Sequence, residues 1–191
     1  MILPVTTTNG SYEIHLVTEG LHLFPKTLLE LTDPRSVVLS CNSSVYTLYG
    51  RQLQSDLERS GFTVILLKVP DGEQHKNLSS YTKLIEELDK LPIDRKTPLI
   101  ALGGGVTGDL AGFVASTILR GLPLIQVPTT LLSMVDSSIG GKVGINTDCG
   151  KNRVGSFYQP TLVFISTDVL KTLPKSELNS GTRQVFSTQK N

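Results

Sequence analysis

Residues Leu99–Leu119 read LIALGGGVTGDLAGFVASTIL. Four apolar residues, Leu99 to Leu102, make a short continuous run of the kind a strand buried on both faces requires. Three glycines follow directly, and then Val106 to Leu119 repeats apolar residues at helical spacing. A buried strand, a glycine turn and a helix in that order are half of a βαβ unit. A membrane span is the poorer reading, because Asp109 and the glycines interrupt the stretch and its flanks do not resemble anchors.

Outward from this stretch the same alternation recurs. Toward the N-terminus, Leu78, Tyr81, Leu84, Ile85, Leu88 and Leu91 form one helical stripe, capped by Asn77 and ended by Pro92. Before it, Phe62 to Val69 predicts a buried strand, Ser44 to Ser60 a helix stopped by Gly61, and Ser36 to Ser40 another strand. Asp33-Pro34 predicts a turn, Leu21 to Leu31 a short helix with Pro25 in its first turns, and Tyr12 to Val17 a strand. Toward the C-terminus, Leu124 to Val127 and Leu162 to Ile165 predict two more buried strands. Short apolar strands alternating with amphipathic helices imply a doubly wound α/β domain with a mostly parallel sheet, whose ligands sit at the carboxyl ends of the strands.

The chain has 191 residues, 18 Lys+Arg and 17 Asp+Glu, and a formal net charge of +1. Without a basic excess or a cationic run, binding to nucleic acid by counterion release is not expected. The hydrophobic fraction of 39% excludes disorder over the whole length. Met1 to Gly10 does not resemble a signal peptide. Cys41 and Cys149 are too few for a disulfide scaffold, so a cytoplasmic protein with no membrane partner is expected.

Three clusters carry candidate chemistry. Gly103-Gly104-Gly105-Val106-Thr107-Gly108-Asp109 matches G-x-G-x-x-G between a strand and a helix, where bare backbone N–H groups and the helix N-terminus favour a pyrophosphate. The acidic residue that a usual Rossmann arrangement places about 20 residues on is missing at Pro128-Thr129-Thr130, and a tight packing turn is the competing reading. Asp71-Gly72-Glu73-Gln74-His75-Lys76 could offer a carboxylate to ribose hydroxyls and an ammonium to phosphate, but taken alone it reads as a solvated turn. Val127 to Phe157 holds Thr129, Thr130, Asp136, Ser137, Ser138, Lys142, Asn146, Lys151 and Asn152 among glycines. That is too polar and too long for a mere connection, and it suits a phosphorylated, polyhydroxylated substrate. The alternative is a surface hairpin with solvated charges. His15, His22 and His75 lack metal-site spacing, and neither cysteine has a histidine nearby in sequence to activate it.

Seven segments, DGEQHK (Asp71–Lys76), LGGGVTGDLAGFVAS (Leu102–Ser116), LRG (Leu119–Gly121), QVPTTLLSMVDSSIGGKVGIN (Gln126–Asn146), GKN (Gly150–Asn152), FYQP (Phe157–Pro160) and LKTLP (Leu170–Pro174), stand in one order and spacing. From about Val37 to about Gly181 the sequence resembles the N-terminal half of 3-dehydroquinate synthase. The resemblance implies a lyase of the shikimate pathway that uses catalytic NAD and a divalent metal, zinc or cobalt. It would convert 3-deoxy-D-arabino-heptulosonate 7-phosphate to 3-dehydroquinate and phosphate.

Position by position, the resemblance places Asn42 at the adenosine ribose and Asp71, Gly72, Glu73, Gln74, His75 and Lys76 on the nucleotide. Gly104, Gly105, Val106, Thr107, Gly108 and Asp109 would surround the pyrophosphate, with Thr129 and Thr130 also touching NAD. Asp136, Lys142, Lys151 and Asn152 would line the substrate or nicotinamide end, and Val169, Leu170, Lys171 and Thr172 would close over the nucleotide. Arg120 matches an arginine that reaches the substrate phosphate of a neighbouring subunit, which implies a homodimer.

Family members are about twice as long. Their second, helical domain, which carries two histidine metal ligands, is not expected here. The third ligand, a glutamate, aligns with Gln184, so no metal ligand is expected. From Thr182 to Asn191 the resemblance fades, which suggests a frameshift, an altered 3′ end or a truncated gene product. The expected organisation is an NAD-binding domain over residues 1–175 and a divergent tail over 176–191, with weak or no NAD affinity and no synthase activity alone. A non-catalytic binding or dimerisation remnant, a related sugar-phosphate cyclase and a polyol dehydrogenase are the alternatives.

Overall fold

The computed structural model describes residues 1–8, 10–33 and 36–188, with side chains to residue 185. Pro34 of the expected turn and the last three tail residues lie outside the described residues.

Nine strands and six α-helices follow one another among the described residues. The strands are β1 (Ile2–Thr7), β2 (Gly10–Val17), β3 (Ser36–Cys41), β4 (Thr63–Lys68), β5 (Leu99–Gly103), β6 (Leu124–Pro128), β7 (Lys142–Thr147), β8 (Gly150–Phe157) and β9 (Leu162–Ser166). The helices are α1 (Phe24–Leu31), α2 (Ser43–Val45), α3 (Arg51–Arg59), α4 (Leu78–Leu88), α5 (Gly105–Thr117) and α6 (Lys175–Thr188). A π-turn at Tyr46–Gly50 joins α2 to α3, so residues 43–59 form one bulged helix.

Seven strands form one sheet in the order β1-β2-β9-β6-β5-β3-β4. All neighbours run parallel except β1 against β2. This is the doubly wound architecture that the alternation predicts.

The central strands are covered on both faces, which is why they read as unbroken apolar runs. Successive residues point to opposite sides. Leu99 and Ala101 therefore pack with Leu84 and Leu88 of α4 and Leu110 and Val114 of α5. Ile100 and Leu102 pack on the other face with Phe24, Leu28, Leu53 and Leu57. Phe24 meets Phe164 of β9 edge to face, with ring centroids 5.2 Å apart.

The winding positions the site. From β3 the chain moves outward to β4, then returns through α4 to β5 on the opposite flank of β3. The connections leaving β3 and β5 thus diverge, opening a crevice at the carboxyl edge.

Three elements depart from the expectations. β1 was not anticipated, because Pro4 weakens its strand pattern and it pairs on one side only. The polar stretch after β6 contains a π-turn at Ser133–Ser137 and the antiparallel hairpin β7–β8. That hairpin is not merely a solvated surface element, since Val143 and Ile145 are buried in the core against α5. Finally, the stretch expected as a divergent tail is helical: α6 begins at Lys175, at the boundary expected between residues 175 and 176. Gly181 seats the helix on the loop after β6, where an added Cβ would lie 2.7 Å from Leu131 Cβ and from the Leu132 amide nitrogen. No helix among the described residues is long and apolar enough to cross a membrane.

Candidate functional site

Gly104 is the N-cap of α5, and no side chain caps it. The first amide N–H groups of the helix therefore lack protein partners along the helix and carry the positive end of its dipole. The site around them is narrow. An added Cβ on Gly104 would lie 3.2 Å from Thr130 Cγ2, and one on Gly105 would lie 3.1 Å from Ser137 Oγ. Glycine at both positions leaves room for a ligand group to approach bare backbone.

This helix end forms the floor of a cleft of about 620 Å³. Asn42 enters from the end of β3, Asp71, Gly72 and Glu73 from the turn after β4, Gly104 to Thr107 and Asp109 from the start of α5 after β5, and Thr129 and Thr130 from the loop after β6. Lys76, Asp136, Lys151, Asn152 and Thr172 complete the predicted residues that line it. An adjoining pocket of about 520 Å³ shares Asp109, Asp136, Ser137 and Asn152 and adds Lys142 and Arg153. The two distant polar clusters and the glycine turn thus converge on one continuous site.

Asn42 has both ends of its amide engaged. Its Oδ1 accepts from the Val45 amide at 2.8 Å, capping α2, and its Nδ2 donates to Asp71 Oδ1 at 2.9 Å. The second Asp71 oxygen is left for a donor such as a ribose hydroxyl. Lys76 is buried, at 4% exposure. Its Nζ donates to Asp109 Oδ2 and, at 2.5 Å, to Asn152 Oδ1. It is therefore a buried, ion-paired side chain on the wall of the cleft, a packing that its turn alone did not suggest.

Asn152 adopts the left-handed region (φ 53°), where Asn is among the more tolerated side chains. Its amide donates to Asn146 Oδ1 at 2.8 Å, and Asn146 Nδ2 donates to Glu73 Oε1 at 2.8 Å. Lys151 lies 3.5 Å from the same Glu73 oxygen. The turn after β4 and the β7–β8 hairpin are therefore knitted together by side-chain amides and charges.

The electrostatics follow from this packing. Burial pushes the Asp109 carboxyl up, against the opposing hydrogen bond and charge of Lys76, and Glu73 and Asp136 add repulsion. Glu73 is also pushed up by burial, but the Asn146 hydrogen bond and the charges of Lys76 and Lys151 outweigh it and leave the carboxyl below its usual value. Burial raises the Cys41 thiol to about 11, partly offset by Lys68, so this cysteine stays protonated.

Other predicted residues lie elsewhere. Gln74 lines a neighbouring pocket with Asn77 and Asp148, and exposed His75 does not line the cleft. Gly108 is buried against the sheet, where Gln126 Nε2 donates to its carbonyl at 3.2 Å, so its glycine serves helix-on-sheet packing. Of Val169, Leu170, Lys171 and Thr172, Thr172 alone lines the cleft. Arg120 is exposed beyond the far end of α5 and does not reach its own chain's cleft. Gln184 lies on α6, three residues past Gly181 and seven past Glu177, so the three share a helix face. Among the described residues, no group of three or more His, Cys, Asp and Glu could hold a metal ion.

Sequence reasoning missed Val45, Leu48, Tyr49, Leu132, Leu173, Pro174 and Glu177, which also line the cleft. These are mostly apolar residues in helices or turns, and their spacing alone does not distinguish a wall from a core position.

The family model described as 3-dehydroquinate synthase N-terminal matches residues 66–180. A 3-dehydroquinate synthase of Pelotomaculum thermopropionicum is 49% identical over 152 residues, covering 80% of this chain and 41% of the relative. That of Nitrosospira multiformis is 45% identical over 181 residues, covering 95% and 49%. Among solved structures, 2-deoxy-scyllo-inosose synthase complexed with carbaglucose-6-phosphate, NAD+ and Co2+ superposes with a TM-score of 0.84 at 27% identity, covering 95% of this chain and 50% of that one. The 2-epi-5-epi-valiolone synthase ValA of Streptomyces hygroscopicus with NAD+ and Zn2+ gives 0.83 at 28%, covering 93% and 49%. The chain spans about half the length of the curated relatives it matches. On these matches, together with the glycine-floored cleft at the switch point, the chain belongs to the 3-dehydroquinate synthase family and corresponds to its N-terminal domain.

Proposed function

We propose that this chain supplies the NAD-binding half of a 3-dehydroquinate synthase acting in the shikimate pathway in the cytoplasm. The observation that carries the reading is the uncapped, glycine-lined start of α5 at the switch point of the sheet. It fits a diphosphate, because unpaired N–H groups and a positive helix end need an anion and a Cβ would obstruct it. The Asn42–Asp71 pair beside it suits ribose hydroxyls.

NAD bound there would supply reversible hydride transfer. The chain's own residues bind and orient. The amides at Gly105 and Val106 receive the diphosphate, and Asp71 accepts from a ribose. Asn152, fixed by Lys76 and Asn146, presents its backbone and amide group where the cleft joins the adjoining pocket. Exposed Lys142 and Lys151 offer ammonium groups to a phosphorylated polyol such as 3-deoxy-D-arabino-heptulosonate 7-phosphate, with Asp136 between the two pockets as acceptor.

Support for NAD comes from the two structural neighbours, both solved with NAD+. Those neighbours also hold Co2+ or Zn2+, but the described residues of this chain do not form a metal-ligand set. The role proposed for this chain is therefore nucleotide binding. Arg120, turned outward at the far end of α5, is free to serve the site of a second copy in a homodimer. Dehydroquinate as product is favoured over the sister cyclases by the higher identity to the curated synthases.

Calorimetric titration of the full chain with NAD tests the reading. Weak but saturable binding that raises the melting temperature at high NAD is expected, by mass action. A flat titration and an unmoved melting curve at millimolar NAD would refute it.

A further inference from the structure

The helix after β3 widens into a π-turn at Tyr46–Gly50, a feature that often marks functional positions. Gly50 makes room for it, since an added Cβ would lie 2.7 Å from the Tyr46 ring and 3.4 Å from Cys41 Sγ. The turn carries Tyr49. Its hydroxyl donates to the Val169 carbonyl at 2.9 Å, 120 residues along the chain, and meets the Thr172 hydroxyl. Thr172 Oγ1 is itself 3.2 Å from the same carbonyl. Burial raises the Tyr49 hydroxyl, with Asp168 adding to the rise, so the group remains a donor at neutral pH.

The two segments joined in this way both line the cleft. Val45, Leu48 and Tyr49 stand on the segment after β3, and Thr172, Leu173 and Pro174 on the segment after β9. Their apolar surfaces suit a flat heterocyclic base, whereas the glycine floor and the Asn42–Asp71 pair suit a diphosphate and a sugar. The segment from Thr167 to Thr172 is a 3-10 turn, and Tyr49 ties it to an element remote in sequence.

We propose that Tyr49 is a positioning residue that, through Val169 and Thr172, holds the Thr172–Pro174 wall against the base of the adenosine half of a bound dinucleotide. This rests on the NAD reading above. Tyr49 acts through the wall, so it sets affinity for the adenosine half and leaves the other half alone.

The test uses the full chain with Tyr49→Phe and Thr172→Val, titrated with NAD, AMP and nicotinamide mononucleotide. Hydrogen exchange of the Leu170–Leu173 amides is followed without ligand. Loss of one shared hydrogen bond predicts Tyr49→Phe binding of NAD and AMP weakened by about three- to tenfold. Nicotinamide mononucleotide binding is unchanged, exchange at Leu170–Leu173 is faster, and exchange in β5 is unaltered. The double variant loses no more than the larger single loss, because the two hydroxyls share one function. Equal weakening of all three ligands, or none, with wild-type binding intact overturns the role of Tyr49 alone. Failure of the wild-type chain to bind NAD or AMP overturns the nucleotide reading, and the inference falls with it.

Discussion

Replacing Lys76 by Met would remove the cation from a pair whose side chains are 5% and 16% exposed. It would strand the Asp109 carboxylate beside Glu73 and Asp136, both of which already repel it. Asn152 Oδ1 would also lose its donor. Breaking a buried ion pair from one side costs about 3–5 kcal/mol. For a domain of this size that lowers the melting temperature by about 6–20 °C. The loss should depend on pH in a definite direction. Burial holds the folded Asp109 carboxyl above its unfolded value, so the penalty on the charged form is present at high pH and relieved as the carboxyl takes up a proton. The gap between wild type and Lys76→Met should therefore be widest near about pH 8 and shrink toward about pH 4.5. Urea denaturation at both ends of that range measures it. Lys76→Met/Asp109→Leu, which removes both charges, should recover most of the loss. A single-variant cost below about 1 kcal/mol at neutral pH, or a gap unchanged by acid, would refute the stabilising role of the Lys76–Asp109 pair.

Gly104→Val should cost about 1 kcal/mol of stability, because valine is a poor N-cap and its Cβ crowds Thr130 Cγ2 at 3.2 Å, but the fold should persist, since Gly104 already has an extended backbone (φ −79°, ψ −173°). NAD affinity should fall by at least about tenfold as the branched side chain enters the cradle beside Thr130; normal binding by calorimetry would show that the helix start is not the diphosphate site. Lys142→Ala should weaken binding of a phosphorylated polyol without moving the melting temperature, since Lys142 is exposed, and a large drop in melting temperature would make it structural instead. Gly112→Ala places a Cβ 2.4 Å from Val143 Cγ1. Overpacking of about 1–3 kcal/mol should outweigh the helix-propensity gain of about 1 kcal/mol. The hairpin should then be displaced from α5 and cleaved faster by protease; net stabilisation would contradict the close packing.

Much of the architecture was legible along the chain. Buried parallel strands are apolar at every position, and the helices between them are apolar on one face, so strand runs such as Leu99–Leu102 and the stripe from Leu78 to Leu91 declare themselves locally. The glycine turn before α5 was legible for the same reason, because its function is carried by backbone that only adjacent residues can expose. Assigning the chain to its family needed seven such segments in register.

Other features needed the third dimension. Lys76 reads as a solvated turn cation until Asp109, 33 residues on, and Asn152, 76 residues on, bury it. Gly108 and Gly104 look alike in sequence, yet one faces Gln126 in the core and the other opens on the cleft. Tyr49 could not be linked to Val169 by any local pattern, since a hydrogen bond across 120 residues leaves no periodicity behind. Local patterning therefore determined the central buried strands, the helices between them and the bare-backbone turn, because neighbouring residues encode those directly. Tertiary structure alone decided which polar groups are neutralised and which remain for a ligand, because pairing and desolvation depend on partners that the order of the chain does not reveal.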